Sequence, residues 1–353
     1  LFRSFQVSKR FVFVKDYMKH LLCGEWMTDY SDASATLLYD FENNTWNEPF
    51  CKALGIDPGV FPGIADSATV AGRLLNAQAR ILSLRAGIPI VNGAGDLAAG
   101  MVGNGATNPG EILMMLSSSG QILKRQDSVP EGMRAGTHYF RFLDRSSGFL
   151  LASIPAAGLC YSWLNALVYG GAASGFQKLD RAAERSGPDG PLFCADLNGS
   201  GTPDFNPADS GAFLGLRMTH GIGDCAHAVL EGVAYKMFEA AESIDAQSKI
   251  IKLSGGGSKS DYWCQMFADV FRLEMRQVAV GDGSSAGAAC IAAKAIGART
   301  QTAISWRSFR PDATRSLLCQ KRHDILKQYC CSLKAANNAT YVLEQEIRKE
   351  LET

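Results

Sequence analysis

The stretch from residue 250 to 297 restricts the possible folds more than any other part of the chain. IIKLSGGGSKS (250–260) is an apolar run that breaks on three consecutive glycines, and DYWCQMFADVF after it has helical spacing. LEMRQVAV (273–280) is again strand-like, and SSAGAACIAAKAIG (284–297) is a helix of small residues. Upstream, EILMMLSSSGQILKR (111–125) gives two strands around a serine-glycine turn, a hairpin signal. GFLLASIPAAG (148–158) is another strand, CYSWLNALVYGG begins a helix, and DCAHAVLEGVAYKMFEAAESID (224–245) is the clearest amphipathic helix. Hairpin strands followed by alternating helix and strand, with glycine-rich turns at strand ends, predict a mixed α/β layer fold.

The 353 residues suffice for about two domains at roughly 150 residues each. Lysine plus arginine (35) equals aspartate plus glutamate (35), so no broad field draws the chain to nucleic acid or an anionic membrane. A bound phosphate must then be held locally, by backbone amides and a few side chains. The ten cysteines form no CxxC pair, and the adjacent Cys330 and Cys331 suit neither a usual disulfide nor a tetrahedral zinc site. Reduced thiols in a cytoplasmic protein are expected.

The first twenty residues hold no apolar stretch long enough for a signal or a membrane span, and a start at Leu1 fits a fragment or a processed chain. Residues 11–22 have apolar side chains at helical intervals and a glycine stop at Gly24. Residues 28–46 read as polar loop, short helix or strand, and turn; 47–56 as a short helix; 61–74 as turns leading to a helix that ends near Gly87. IPIVNGAGD (88–96) reads as a buried strand entering a tight turn, and the chain beyond about 310 as helical and charged.

Four constellations can carry chemistry. LSGGGSKS (253–260) sets Gly255, Gly256 and Gly257 between strand and helix, where backbone can pass close to a ligand; a tight turn without ligand uses the same residues. No GK[ST] follows at the Walker spacing. LSSSG (116–120) puts the hydroxyls of Ser117, Ser118 and Ser119 at a hairpin tip, fit to hold phosphate oxygens or to make a plain polar turn. In GAGD (93–96), Asp96 either accepts a proton from a hydroxyl nucleophile or caps the following helix.

GDGSSAGAAC (281–290) matches both GxGxxA and GxSxG. As a dinucleotide turn it lacks an acid at the ribose-binding distance, the next being Asp312. As a nucleophile elbow it needs Ser285 beside Asp312 and His323, which nothing in the sequence brings together. A glycine and alanine face also serves to lay a helix close to a sheet. His138 and His220 have no partner pattern, and no metal-ligating set is singled out.

Six pieces occur in a telling order: VNGAGDLAAG, MMLSSSG, LNGSGTPDFNPADSGAFLGL, HAVLEGVAYKM, LSGGGSKSDYWCQMFADVF and DGSSAGAA. Together they resemble the carboxy-terminal portion of FGGY carbohydrate kinases, and KDYMKHLLCGEWMTDYSDASATLLYD resembles the segment that closes the first domain in xylulokinases. The resemblance covers about residues 15–300. It implies the actin-like ATPase (ribonuclease H-like) α/β fold: the tail of the amino-terminal, sugar-binding domain (1–87), one complete carboxy-terminal nucleotide-binding domain (88–300) and a helical extension (301–353).

The implied activity transfers the γ-phosphate of ATP, with Mg²⁺, to a hydroxyl of a ketose or polyol such as xylulose. Asp96 then becomes the general base, Ser117, Ser118, Ser119 and Gly120 the phosphate-facing turn, and Gly255, Gly256, Gly257 and Ser260 the place where adenosine is met. The turn from Asp282 to Gly287 packs behind it. The family pattern is departed from in three places. Ser117 and Ser118 stand for a glycine and a threonine, Leu97 for a glutamine after the base, and Ser200-Gly201 for an acidic-basic pair. Nothing before Phe11 resembles the family's first phosphate loop, so poor or absent sugar phosphorylation is expected of this polypeptide alone. Apolar surface left uncovered by missing strands allows a homodimer. An inactive nucleotide-binding remnant and an actin-like chaperone-type ATPase are the alternatives.

Overall fold

Turn signals recur every few residues up to position 91, and the elements there are correspondingly short. The computed structural model describes residues 9–246, 248–279, 281–298 and 304–352. Its first part runs α1 (Val14–Cys23), β1 (Met27–Asp29), α2 (Tyr30–Ser34), β2 (Tyr39–Asp40), β3 (Thr45–Trp46), α3 (Glu48–Ala53), β4 (Gly63–Ala65), β5 (Val70–Arg73), α4 (Asn76–Leu82) and β6 (Pro89–Val91). These strands pair only two by two, β1 with β4, β2 with β3 and β5 with β6. The buried strand expected before Asp96 is therefore corrected. β6 is half-buried, starts on a proline with no amide to donate, and forms a ribbon with β5.

Helix α1 reverses the usual amphipathic logic. Val14, Tyr17, Met18 and Leu21 recur at the spacing of a core face, yet they are 81%, 50%, 53% and 40% exposed. Asp16, Lys19 and Cys23 face inward instead.

The second part begins with α5 (Asp96–Gly103), β7 (Ile112–Leu116), β8 (Gly120–Gln126), β9 (His138–Arg141) and β10 (Gly148–Ile154). It continues with α6 (Gly158–Tyr169), α7 (Ala173–Arg185), β11 (Leu192–Cys194), β12 (Ala212–Leu214) and α8 (Ile222–Ser243). β13 (Ile250–Ser254), α9 (Asp261–Phe271), β14 (Glu274–Val278), α10 (Gly283–Ala295), β15 (Trp306–Phe309) and α11 (Ala313–Glu352) complete it. Seven strands make one sheet in the order β15-β14-β13-β7-β8-β10-β9. β7, β13 and β14 are parallel, and the remaining pairs are antiparallel. The carboxyl ends of the three parallel strands consequently share one edge.

Period-two alternation assigns each sheet residue to a face. Ile112, Met114, Leu116, Ile122, Leu150, Ala152 and Ile154 join the large core under α6, α7, α8 and α9. Leu113, Leu123, Phe149 and Leu151 point the other way and pack on Ala98 and Met101 of α5. α8 was expected to be amphipathic, but residues 228–235 are all buried. Over that span it is covered by α6, α7 and α9, and Arg322 of α11 bonds Glu231 within it, so no water-facing side remains there.

α10 lies across α5 at backbone distance. A side chain on Gly103 would run into the Gly283 carbonyl, and one on Gly287 into the Ala99 carbonyl. The strand expected over 273–280 ends at Val278; residue 280, residues 1–8 and the boundary expected at 300/301 lie outside the described residues. Within the described residues, β15 joins the main sheet and α11 docks Leu326 into its core. No described helix is long and apolar enough to cross a membrane.

Candidate active site

Two turns meet where β7 and β13 end. The strands are parallel neighbours, with Leu253 opposite Met114 and Ser254 opposite Met115, so the serine turn and the glycine turn emerge side by side. Ligands of open α/β sheets bind at this carboxyl edge. Gly255 has φ of 93°, and a Cβ there would stand 2.5 Å from the Leu116 carbonyl oxygen; only glycine lets the two turns touch. Gly256 is the opposite case, since a Cβ on it meets nothing within 4 Å. It looks onto open space.

That space is a cavity of about 500 Å³ lined by Ser117, Ser118, Gly256, Gly257 and Ser260 of the expected residues, together with Tyr161, Asp180, Lys259 and Trp263. The Tyr161 hydroxyl donates to Asp180 Oδ1 (2.7 Å), and the Trp263 indole donates to the Leu230 carbonyl (3.1 Å), which fixes an aromatic wall. Ser260 caps α9, accepting from the Trp263 amide (3.2 Å), so the mouth of the cavity is also a helix start. Lys259 is exposed there and supplies a cation for an anionic ligand.

Three expected residues share these turns without lining the cavity. Ser119 accepts from the Ser117 amide and hydroxyl, holding the hairpin tip closed. Gly120 is buried, with Met237 and Ile154 against it. The Gly255 carbonyl accepts the Ser258 hydroxyl (2.8 Å).

Asp96, Asp282 and Gly287 form a second group on the other face of the sheet. Asp96 is the first residue of α5 and exposed, and its carboxylate accepts from the Leu97 amide (2.8 Å). Asp282 caps α10, and the Ser285 hydroxyl and amide bonds hold its carboxyl below the ordinary range. Ser284 donates to the Asp96 carbonyl (3.0 Å), so the two helix starts are tied together. The partners of Ser285, His323 and Asp312 decide against the nucleophile elbow. Ser285 serves its own cap, while His323 pairs with Glu239 (2.9 Å) and Asp312 caps α11, so no nucleophile triad assembles.

A polar cluster that the sequence reading missed holds the segment just before Asp96. Lys15 Nζ lies 2.8 Å from Asp16, 3.1 Å from Asp29 and 3.4 Å from Asp32. Lys19 bonds Asp16 (3.1 Å) and the Asn92 side chain (2.5 Å), and Asn92 donates on to the Thr28 carbonyl (2.9 Å). Ser31 accepts the Gly95 amide (2.8 Å), and a Cβ on Gly95 would stand 2.8 Å from Asp32 Oδ1. Burial opposes the Lys15 ammonium, but Asp29, Asp16 and Asp32 outweigh it and raise its pKa. Lys19 is lowered by burial and by Lys15. Burial, then the Asp29 charge, push Asp32 up to about 6. The available signal was Lys15, Asp16 and Lys19 interrupting an apolar helix pattern.

Two departures have structural consequences. Leu97 packs into the apolar cluster of α5, β7 and β8. A side chain on Gly201 would run into the Ser153 carbonyl, and the Thr202 amide donates to that carbonyl (2.8 Å), which pins the loop to β10, while the Thr202 hydroxyl donates to the Gly136 carbonyl (2.8 Å) ahead of β9.

The family description "FGGY family of carbohydrate kinases, C-terminal domain" matches residues 114–296, and its N-terminal counterpart matches residues 3–103. Xylulose kinase of Escherichia coli is 28% identical over 331 residues, 89% of this chain and 66% of that protein. The chain thus spans just under two thirds of that relative's length. A ligand-bound xylulose kinase from Lactobacillus acidophilus superposes with a TM-score of 0.86 at 19% identity, covering 94% of this chain and 69% of that one. Plasmodium falciparum glycerol kinase with ADP superposes at 0.82 and 19% identity, over 90% of this chain and 66% of that one. These two similarities carry the actin-like fold. With both domain descriptions matched in order, the chain belongs to the FGGY family of carbohydrate kinases.

Proposed function

We propose that this chain carries the nucleotide-binding and phosphoryl-transferring part of a carbohydrate kinase that moves the γ-phosphate of ATP to a hydroxyl of a ketose or polyol such as xylulose. The observation that carries this reading is the meeting of the Ser117–Ser118 and Gly256–Gly257 turns on one aromatic-walled cavity at the carboxyl edge of the sheet. Gly256 and Trp263 bound the space for the nucleoside, while the hydroxyl and amide of Ser118, in the turn that Ser117 holds closed, face the phosphates. Asp96, exposed at the start of α5, accepts the proton of the sugar hydroxyl. The described residues hold no group of three or more acids, cysteines or histidines fit for a metal, so Mg²⁺ would arrive on the phosphates. When bound, the ion would supply charge neutralisation on the transferring group.

Calorimetric titration of the 353-residue chain with Mg·ATP, beside Gly256→Asp, tests this. Open space at Gly256 lets the variant fold while its carboxylate repels the phosphates. Binding by the parent and its loss in the variant support the reading; no binding by the folded parent rejects it.

A second reading, nucleotide binding without sugar turnover, is favoured by Leu97, whose side chain is spent on the apolar cluster. ATP binding that stays intact while added ketose or polyol brings no ADP formation would select it.

A further inference from the structure

Cys194 closes β11, and Cys330 stands on α11, 136 residues later. Their sulfurs lie 2.7 Å apart. Cys194 is buried, Cys330 half-buried and Cys331 exposed. Both members of the pair border a cavity of about 380 Å³ that opens to solvent, with Asp196, Lys236 and Lys334 in its wall. Lys236 pairs with Asp196 (3.0 Å) beside the sulfurs. The hydrogen bond from Cys194 and the Lys236 ammonium hold the Cys330 thiol below its usual range, against burial, and so raise its share of reactive thiolate.

We propose that Cys194 and Cys330 are a reversible redox pair, oxidised to a disulfide by a low-molecular-weight disulfide that enters through this cavity. The Cys330 thiolate attacks one sulfur of the oxidant, forming a mixed disulfide and releasing one thiolate. Cys194 then gives up its proton to solvent and attacks the Cys330 sulfur, releasing the second thiolate. Two protein thiols lose two electrons, and the oxidant leaves as two thiols. The new bond ties α11 to β11, the strand that leads into the 195–210 loop. Cys331, next in sequence, has no sulfur opposite it in the described structure and serves as an internal control.

The test uses the full chain and glutathione disulfide as the probe, followed by denaturation, N-ethylmaleimide and trypsin. The expected product links the peptide of residues 186–217 to that of residues 328–334, and dithiothreitol releases it. Cys331→Ser keeps the link, and Cys330→Ser loses it. The oxidised chain should melt higher by on the order of 5 °C, because the crosslink closes a long loop. Cys194 that stays open to N-ethylmaleimide while the probe is consumed overturns the proposal. So does a link that survives Cys330→Ser and vanishes in Cys331→Ser.

Discussion

Helices α1 and α8 bury opposite kinds of surface. α1 hides Asp16 and Lys19 and turns an apolar stripe outward, whereas α8 is sealed by apolar neighbours along 228–235. The ion-paired exception within 228–235 is Glu231. Burial alone would raise its pKa, but His227 and the bidentate Arg322 hold it below the ordinary carboxylate range. The contrast extends to the two sides of the candidate site. The segment before Asp96 is held by buried charges that must all be matched, and the cavity is held by backbones that approach because side chains are missing. Substitutions should therefore hurt the two sides for different reasons.

The largest effect is expected on the close-packed side. Gly287→Val puts a branched side chain against the Ala99 carbonyl, so α10 must lift from α5. Urea unfolding should show a loss of about 4 kcal/mol or failure to fold, beyond ordinary overpacking because backbone cannot yield. A loss below about 1 kcal/mol would mean that the helices separate easily. On the charged side, Lys19→Met removes the donor to Asn92 and one partner of Asp16, which is fully buried. A loss of about 3 kcal/mol is expected in the same assay, since a buried carboxylate and amide are left short of partners. If Lys19→Met is neutral, the cluster does not hold the Asp96 segment and the contrast fails.

The α/β class was legible because period-two runs and glycine turns are local signals, and both survive in β7, β8, β10 and β13. β9 and β15 were not, because four-residue edge strands owe their pairing to a sheet built by distant segments. The two site turns could be read as turns, but their meeting depends on the parallel pairing of β7 with β13, more than a hundred residues apart. The inward charges of α1 were missed for a simpler reason. Periodicity locates two faces of a helix, and only tertiary partners decide which one is buried.

Asp32 offers a sharper test of the charged side than any deletion. Its carboxyl titrates near 3.8 in a free chain and at about 6 in the fold. Between those values the folded protein keeps a proton that the unfolded chain has lost. The group therefore favours the fold below about pH 4, and that contribution is lost as pH rises through 6. Asp32→Asn removes the titration, so its stability relative to the parent should improve by about 2 kcal/mol from pH 4 to pH 7. An offset equal at both pH values would show that neither burial nor Asp29 lifts the Asp32 carboxyl.

The smallest effect separates neighbours within one turn. At Gly256 the backbone is helical, with φ of −62°, and a Cβ points into open cavity. Gly256→Ala should leave stability within about 1 kcal/mol, on the stabilising side, since alanine restricts the unfolded chain more than glycine does. At Gly255 the same methyl meets both a left-handed φ and the Leu116 carbonyl, and about 2–3 kcal/mol should be lost. Thermal melts of the two single variants measure the difference. Equal losses would mean that the triplet acts as one rigid loop. A loss confined to Gly255→Ala would mean that one glycine joins the strands and the next leaves room for a ligand.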